Sequence, residues 1–106
     1  MPRVDSKFKV RVRKIVSQIP RGKVMTYGQL ATLCGASWAA WEVGQIAHFG
    51  PEDLPWQRVV NKKGFLANGY PGGRAQHKKM LEADGITVDD NYKVDVDKLL
   101  WHPELR

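Results

Sequence analysis

The side chains able to do chemistry are few, and their spacing is informative. One cysteine, Cys34, occurs in 106 residues, and the three histidines His48, His77 and His102 stand far apart in the chain. A lone cysteine excludes an intramolecular disulfide framework, and scattered histidines give no metal-ligand spacing, so neither metal nor other cofactor is expected. That usage suits a reducing cytoplasm. Cys34 is the one conventional nucleophile, but it lies in Leu33-Cys34-Gly35 at the end of a helix signal, where a small buried apolar residue is the better reading. The cationic side chains are the more telling set. The net charge is +6 with a pI near 9.7, and residues 1–25 carry eight Lys or Arg against one Asp. Residues 82–106 reverse the balance, with seven acids against three bases. A basic end on a globular domain suits a polyanion, because neutralising phosphates releases counterions. By charge alone, a solvated helix face is an equal alternative.

Elements must position these groups, and the chain is long enough for one domain, residues 1–106, with one modest core. Hydrophobic residues make up 42% and charged residues 26%, an ordinary globular balance. The longest apolar runs are far shorter than a membrane span, and the first residues are polar and basic, unlike a signal peptide. Phe8, Val12, Ile15, Val16 and Ile19 recur at helical spacing, with Asp5 or Ser6 to cap the helix and Pro20 to end it. Thr26 caps a short helix from Tyr27 to Leu33, and Ser37 a second from about Trp38 to Ala47. Two helices joined by a tight Gly-containing turn form a helix-turn-helix. Val59-Val60 and Phe65-Leu66-Ala67 around Asn61-Lys62-Lys63-Gly64 read as a β-hairpin, the wing. A helix from Ala75 to Asp84 stops at Gly85, and Tyr92, Val94 and Val96 alternate as a short strand. The fold class is therefore α+β, mainly helical: a single winged-helix domain with a strand and turn extension over 86–106 anchored by Leu99, Leu100 and Trp101.

Four blocks carry a resemblance. Ile19-Pro20-Arg21-Gly22-Lys23-Val24 with Thr26-Tyr27-Gly28-Gln29-Leu30-Ala31 comes first, then Ala39-Ala40-Trp41-Glu42-Val43-Gly44. Pro55-Trp56-Gln57-Arg58-Val59 follows, and then Gly69-Tyr70-Pro71-Gly72-Gly73 with Leu81-Glu82-Ala83-Asp84-Gly85. In this order, over 7–85, they resemble the DNA-binding and active-site domain of the O6-alkylguanine-DNA alkyltransferases, whose C-terminal domain is a winged helix. The active-site motif of that family is Pro-Cys-His-Arg-Val. Here Trp56 stands at the nucleophilic cysteine and Gln57 at the histidine that activates it, and an indole has no comparable nucleophile. A motif kept in shape and emptied of its catalyst is the mark of the alkyltransferase-like proteins.

That resemblance implies a non-enzymatic role: recognition of O6-alkylguanine in double-stranded DNA by minor-groove binding and nucleotide flipping, and presentation of the lesion to nucleotide-excision repair proteins. It implies a monomer in the cytoplasm, on the nucleoid if bacterial, or in the nucleus if eukaryotic. The lesion pocket falls to Trp56, Val59, Tyr70 and Pro71, with the main-chain carbonyls of Trp56 and Val59 at the guanine edge. Tyr27 is placed to crowd the phosphate beside the target and drive rotation. Trp41 stands where the family has an arginine finger; it stacks on the orphaned bases, packs inward, or disables flipping. Thr26, Gln29, Ser37, Ala39, Ala40, Gly44, Arg58, Lys62 and Lys63 complete the DNA-facing set, with Arg58 also tying the motif to neighbouring loops. Pro71 replaces a serine that would donate to the O6 oxygen, and Asp84 replaces the relay glutamate. The His48–Leu54 loop is shorter than the family spacing, which would widen the pocket mouth. Two other functions compete: a winged-helix DNA-binding module without a lesion pocket, and a weak alkyltransferase using another nucleophile such as Cys34.

Overall fold

The computed structural model describes residues 5–49 and 53–103. The first helix, α1 (Ser6–Gln18), begins where Asp5 Oδ1 accepts from Phe8 N at 2.8 Å, and Phe8, Val12 and Val16 form its buried stripe. Such a cap contributes on the order of 1 kcal/mol. Strand β1 (Met25–Thr26) runs directly into α2 (Tyr27–Leu33). Thr26 Oγ1 accepts from Gln29 N at 3.0 Å while Gln29 Oε1 accepts from Thr26 N at 3.3 Å, a reciprocal cap that fixes where α2 starts. Helix α3 (Ala40–Phe49) follows a turn, and the α2–α3 pair is the expected helix-turn-helix. Its start differs from the sequence reading. Ser37 and Trp38 lie exposed in the turn and Ala39 is buried, so α3 begins two residues later than Ser37 capping would set it.

The wing also differs. After a 3-10 turn at Trp56–Arg58, β2 (Val59–Val60) pairs in parallel with β1, Met25 opposite Val59 and Thr26 opposite Val60. Both valines are fully buried, and a strand buried on both faces takes a partner inside the core in preference to an exposed hairpin. The Asn61–Gly64 turn does form, closed by Asn61 N on Phe65 O at 3.0 Å. The chain beyond it turns away to the segment 92–94, where Leu66 N donates to Tyr92 O and Val94 N to Gly64 O. Gly64, at φ +95°, allows that approach: a Cβ there would lie 2.2 Å from the Val94 carbonyl oxygen. The strand expected over Tyr92–Val96 is thus reduced to one antiparallel bridge, Phe65 to Lys93.

Helix α4 (Gly73–Ala83) and the one-turn α5 (Val96–Leu99) complete the chain. The C-terminal segment closes on β1: Val24 N donates to Leu99 O at 3.0 Å, Trp101 N to Val24 O at 2.8 Å, and Gln29 Nε2 to Trp101 O at 2.6 Å. Two clusters form the core. One joins α1, α2 and α3 to Trp56 and Val59; the other joins Val24, Val60, Leu66 and Leu81 to Ile86, Val88 and Val94. The β1–β2 pair lies at their junction, with Tyr27 directly after β1 and the Trp56–Arg58 turn directly before β2. Among the described residues no helix is long and apolar enough to cross a membrane.

Candidate functional site

An open cavity of about 760 Å³ lies between α2, α3 and the loop before α4, lined among others by Tyr27, Ala40, Trp41, Gly44, Trp56 and Tyr70. That volume is within the roughly 300–1,000 Å³ usual for ligand sites. Trp56 is the buried residue of the lining, 8% exposed, and forms its floor. Its backbone is pinned by the 3-10 turn, in which Trp56 O accepts from Val59 N. The indole Nε1 is buried without a hydrogen-bond partner among the described residues.

The mouth is aromatic. Trp41 is 71% exposed and lines the cavity, so it is not packed inward. Tyr27, at the start of α2, is mostly buried, which pushes its phenol up to about 12. It therefore stays a neutral hydroxyl at any working pH. Tyr70 stacks on His77, ring centroids 4.5 Å apart and planes 17° apart. His77 is fully buried: Nδ1 accepts from Ala67 N at 3.2 Å, which leaves Nε2–H to donate to Gln57 O at 2.8 Å. Burial lowers its pKa and outweighs the opposing pull of the Gln57 carbonyl, so the ring is held neutral. One imidazole thus ties the Trp56–Gln57 turn to the loop that carries Tyr70.

Gly44 and Ala40 give α3 a smooth face. A Cβ at Gly44 would meet no protein atom within 4 Å, so the domain's own packing does not demand glycine there.

The site residues expected from the sequence divide by location. Trp56, Tyr70, Pro71, Tyr27, Trp41, Ala40, Gly44 and Lys62 line the cavity together, while Lys63 is exposed in the adjoining turn. Val59 and Ala39 are fully buried in the core, Ser37 is exposed in the turn before α3, and Thr26 and Gln29 are spent on the α2 cap. Arg58 is committed internally: Nε and Nη2 reach the two Asp84 carboxylate oxygens at 2.8 and 3.0 Å, and Nη1 donates to Ile19 O at 2.8 Å. The buried position of Ala39 follows from the later start of α3, and the internal commitment of Arg58 from the carboxylate at the end of α4. Residues 50–52 of the His48–Leu54 loop lie outside the described residues, as do 1–4 of the basic segment and 104–106 of the acidic tail. Cys34 is buried, with its thiol pushed up by burial against the lowering pull of Arg11, and it is not among the lining residues. Among the described residues no group of three or more metal-ligating side chains comes together.

Several contributors escaped the sequence reading. Gln45 and Phe49 line the cavity, with Phe49 77% exposed at the end of α3. His77 carried a signal, since it shares the buried face of α4 with Leu81 four residues on.

Residues 7–86 match the family model described as 6-O-methylguanine DNA methyltransferase, DNA binding domain. The chain is 38% identical over 104 residues to the DNA base-flipping protein of Escherichia coli (strain K12), an alignment covering 96% of this chain and 79% of that protein. It is 34% identical over 103 residues to alkyltransferase-like protein 1 of Schizosaccharomyces pombe, covering 91% and 95%. The crystal structure of S. pombe Atl1 in complex with damaged DNA containing O6-carboxymethylguanine superposes with a TM-score of 0.84 at 32% identity, over 95% of this chain and 100% of that one. Mycobacterium tuberculosis OGT in complex with DNA gives 0.69 over 77% of this chain but 51% of that longer one. With the motif order and the helix-turn-helix in agreement, the chain belongs to the O6-alkylguanine-DNA alkyltransferase family, in its alkyltransferase-like branch.

Proposed function

We propose that this protein finds O6-alkylguanine in duplex DNA, rotates the nucleotide into the cavity above Trp56 and holds it there unrepaired. Trp56 carries the reading: the floor of a base-sized cavity is an indole where the family's nucleophile stands, so the cavity can receive a base and, among the described residues, offers no thiol to attack it. The relatives support the first half. One is named a DNA base-flipping protein, and another is solved on DNA containing O6-carboxymethylguanine.

The energetics are balanced by aromatic contact. Unstacking a base costs a few kcal/mol. Stacking a base on an aromatic side chain returns about 1–3 kcal/mol, and the cavity offers Tyr70 and Trp56 to the flipped base and Trp41 to the gap it leaves. Tyr27 crowds the phosphate, and Ala40 and Gly44 let α3 enter a minor groove only about 6 Å wide. The bound monomer then displays a bent, marked site to nucleotide-excision repair proteins in the compartment that holds the DNA.

The test compares affinity for a duplex with one O6-methylguanine and for the same duplex undamaged, with a fluorescent base analogue beside the lesion to report unstacking. Preference for the lesion with a fluorescence rise is expected. Equal affinity and no rise would leave a plain winged-helix DNA-binding module.

A further inference from the structure

On the flank of α3 opposite Tyr27 and Lys62, a second groove of about 220 Å³ runs between α1 and α3. It shares Gln45 and Phe49 with the cavity, so the two sites lie on either side of one helix. Its α1 wall is Lys9 and Arg13, four residues apart and hence on one helical face.

The arginines of α1 are used differently. Arg11 is spent internally, its Nε and Nη2 donating to Cys34 O at 3.1 and 2.8 Å. Arg13 makes no hydrogen bond or ion pair among the described residues, and its Nε is buried without a partner. Lys9 is exposed and likewise unpaired among them. A guanidinium partly withdrawn from water with its donors unspent is built for an anion that arrives from outside. Among the described residues Glu42 is the one acid of the groove, and it stands in the first turn of α3, where the helix N-terminus stabilises a carboxylate without Arg13.

A helix seated in a groove of DNA has a sugar-phosphate wall on each side. With side chains it is about 10 Å across, wider than a minor groove of about 6 Å, so both walls must be held apart and contacted. The cavity side presents Tyr27 and Lys62 to the strand that carries the target nucleotide. We propose that Lys9 and Arg13 bind phosphates of the complementary strand, gripping the opposite wall of the groove; this assignment rests on the lesion-binding reading of the cavity.

The experiment measures binding of the full chain to lesion-containing and undamaged duplexes across a salt series. It compares wild type, the Lys9→Ala/Arg13→Ala double variant, Lys9→Ala alone, and a Lys7→Ala/Lys14→Ala control that removes the same charge from another face of α1. The double variant should lower the log–log salt slope by about 1.8, at about 0.9 per phosphate. It should weaken both duplexes by one common factor, leaving the lesion-to-undamaged ratio and the unstacking signal unchanged. Lys9→Ala should show half the change in slope, and the control little. Methylphosphonates that neutralise single phosphates of the complementary strand should weaken wild type and leave the double variant indifferent. A slope change no larger than the control's overturns the proposal, as does sensitivity confined to phosphates of the lesion strand. Loss of slope in a protein that shows no lesion preference would keep this face and remove the lesion reading.

Discussion

Gln57 Nε2 donates to Asp84 Oδ2 across 3.2 Å, on the same carboxylate that receives the fork of Arg58. By the motif resemblance these two residues stand at the base and acid positions of the alkyltransferase relay, and here they are joined to each other. What holds them is structural. Asp84 caps the C-terminus of α4, where the helix dipole disfavours a negative charge, and its side chain is 9% exposed. Burial alone would raise its pKa, but the hydrogen bonds from Arg58 and Gln57 outweigh it and hold the carboxyl below its ordinary 3.8. Arg58 is pushed up in return by its hydrogen bond to Asp84.

Asp84→Ala should therefore destabilise the fold by about 3 kcal/mol, because it strands the Arg58 guanidinium. A depressed carboxyl contributes stability that is complete above its unfolded pKa and is lost as pH falls through the folded one. Wild type should weaken below about pH 4, and Asp84→Asn should show a shallower acid limb in urea unfolding. Equal acid limbs would show that the pair carries no linked stability.

Restoring the nucleophile alone should not restore transfer. Trp56→Cys supplies a thiol near its unperturbed pKa of about 8.5, mostly protonated at neutral pH. Adding Gln57→His and Asp84→Glu should raise the thiolate fraction, since Gln57 and Asp84 already touch. Methyl transfer by the triple variant, with little or none by the single, is the expected result in an intact-mass assay. Equal rates would break the relay argument.

Trp41 should act as the wedge. Trp41→Ala removes an exposed indole from the cavity mouth and should reduce lesion affinity by roughly 1–3 kcal/mol, the worth of one stacked base. Trp41→Phe should keep most of it. Unchanged affinity and unstacking signal in Trp41→Ala would assign the gap to another residue.

His77 gives the site a pH dependence. Its lowered pKa means that the unfolded chain binds the proton more readily, so stability is complete above 6.5 and declines as pH falls below it. Lesion affinity should follow, because Tyr70 rests on this ring. His77→Phe keeps the stack, loses the bonds to Gln57 O and Ala67 N at a cost of about 1–3 kcal/mol, and should flatten the decline. An unchanged pH profile in that variant would place the titration elsewhere.

Much of this was legible in the sequence where local rules and motif order coincide. The Asp5 and Thr26 caps, the α1 stripe and the run from Trp56 to Tyr70 are of that kind, and they locate most of the cavity. Long-range pairing was not legible. Val59-Val60 looks equally like half a hairpin or a buried strand, and only the position of Met25–Thr26 decides. Ser37 is a good cap by type, yet burying Ala39 starts α3 later. Arg58 and Arg13 are chemically alike in sequence; one is consumed by Asp84 and the other is left unpartnered among the described residues.

The central claim, that the cavity receives an alkylated guanine and leaves it intact, meets its most direct test in a protection assay read by intact mass. The protein is incubated with an O6-methylguanine duplex, an active alkyltransferase is then added, and both proteins are weighed. The duplex should be shielded in proportion to occupancy, with the mass of this protein unchanged however long the incubation. A stoichiometric gain of one methyl on this chain would contradict the account.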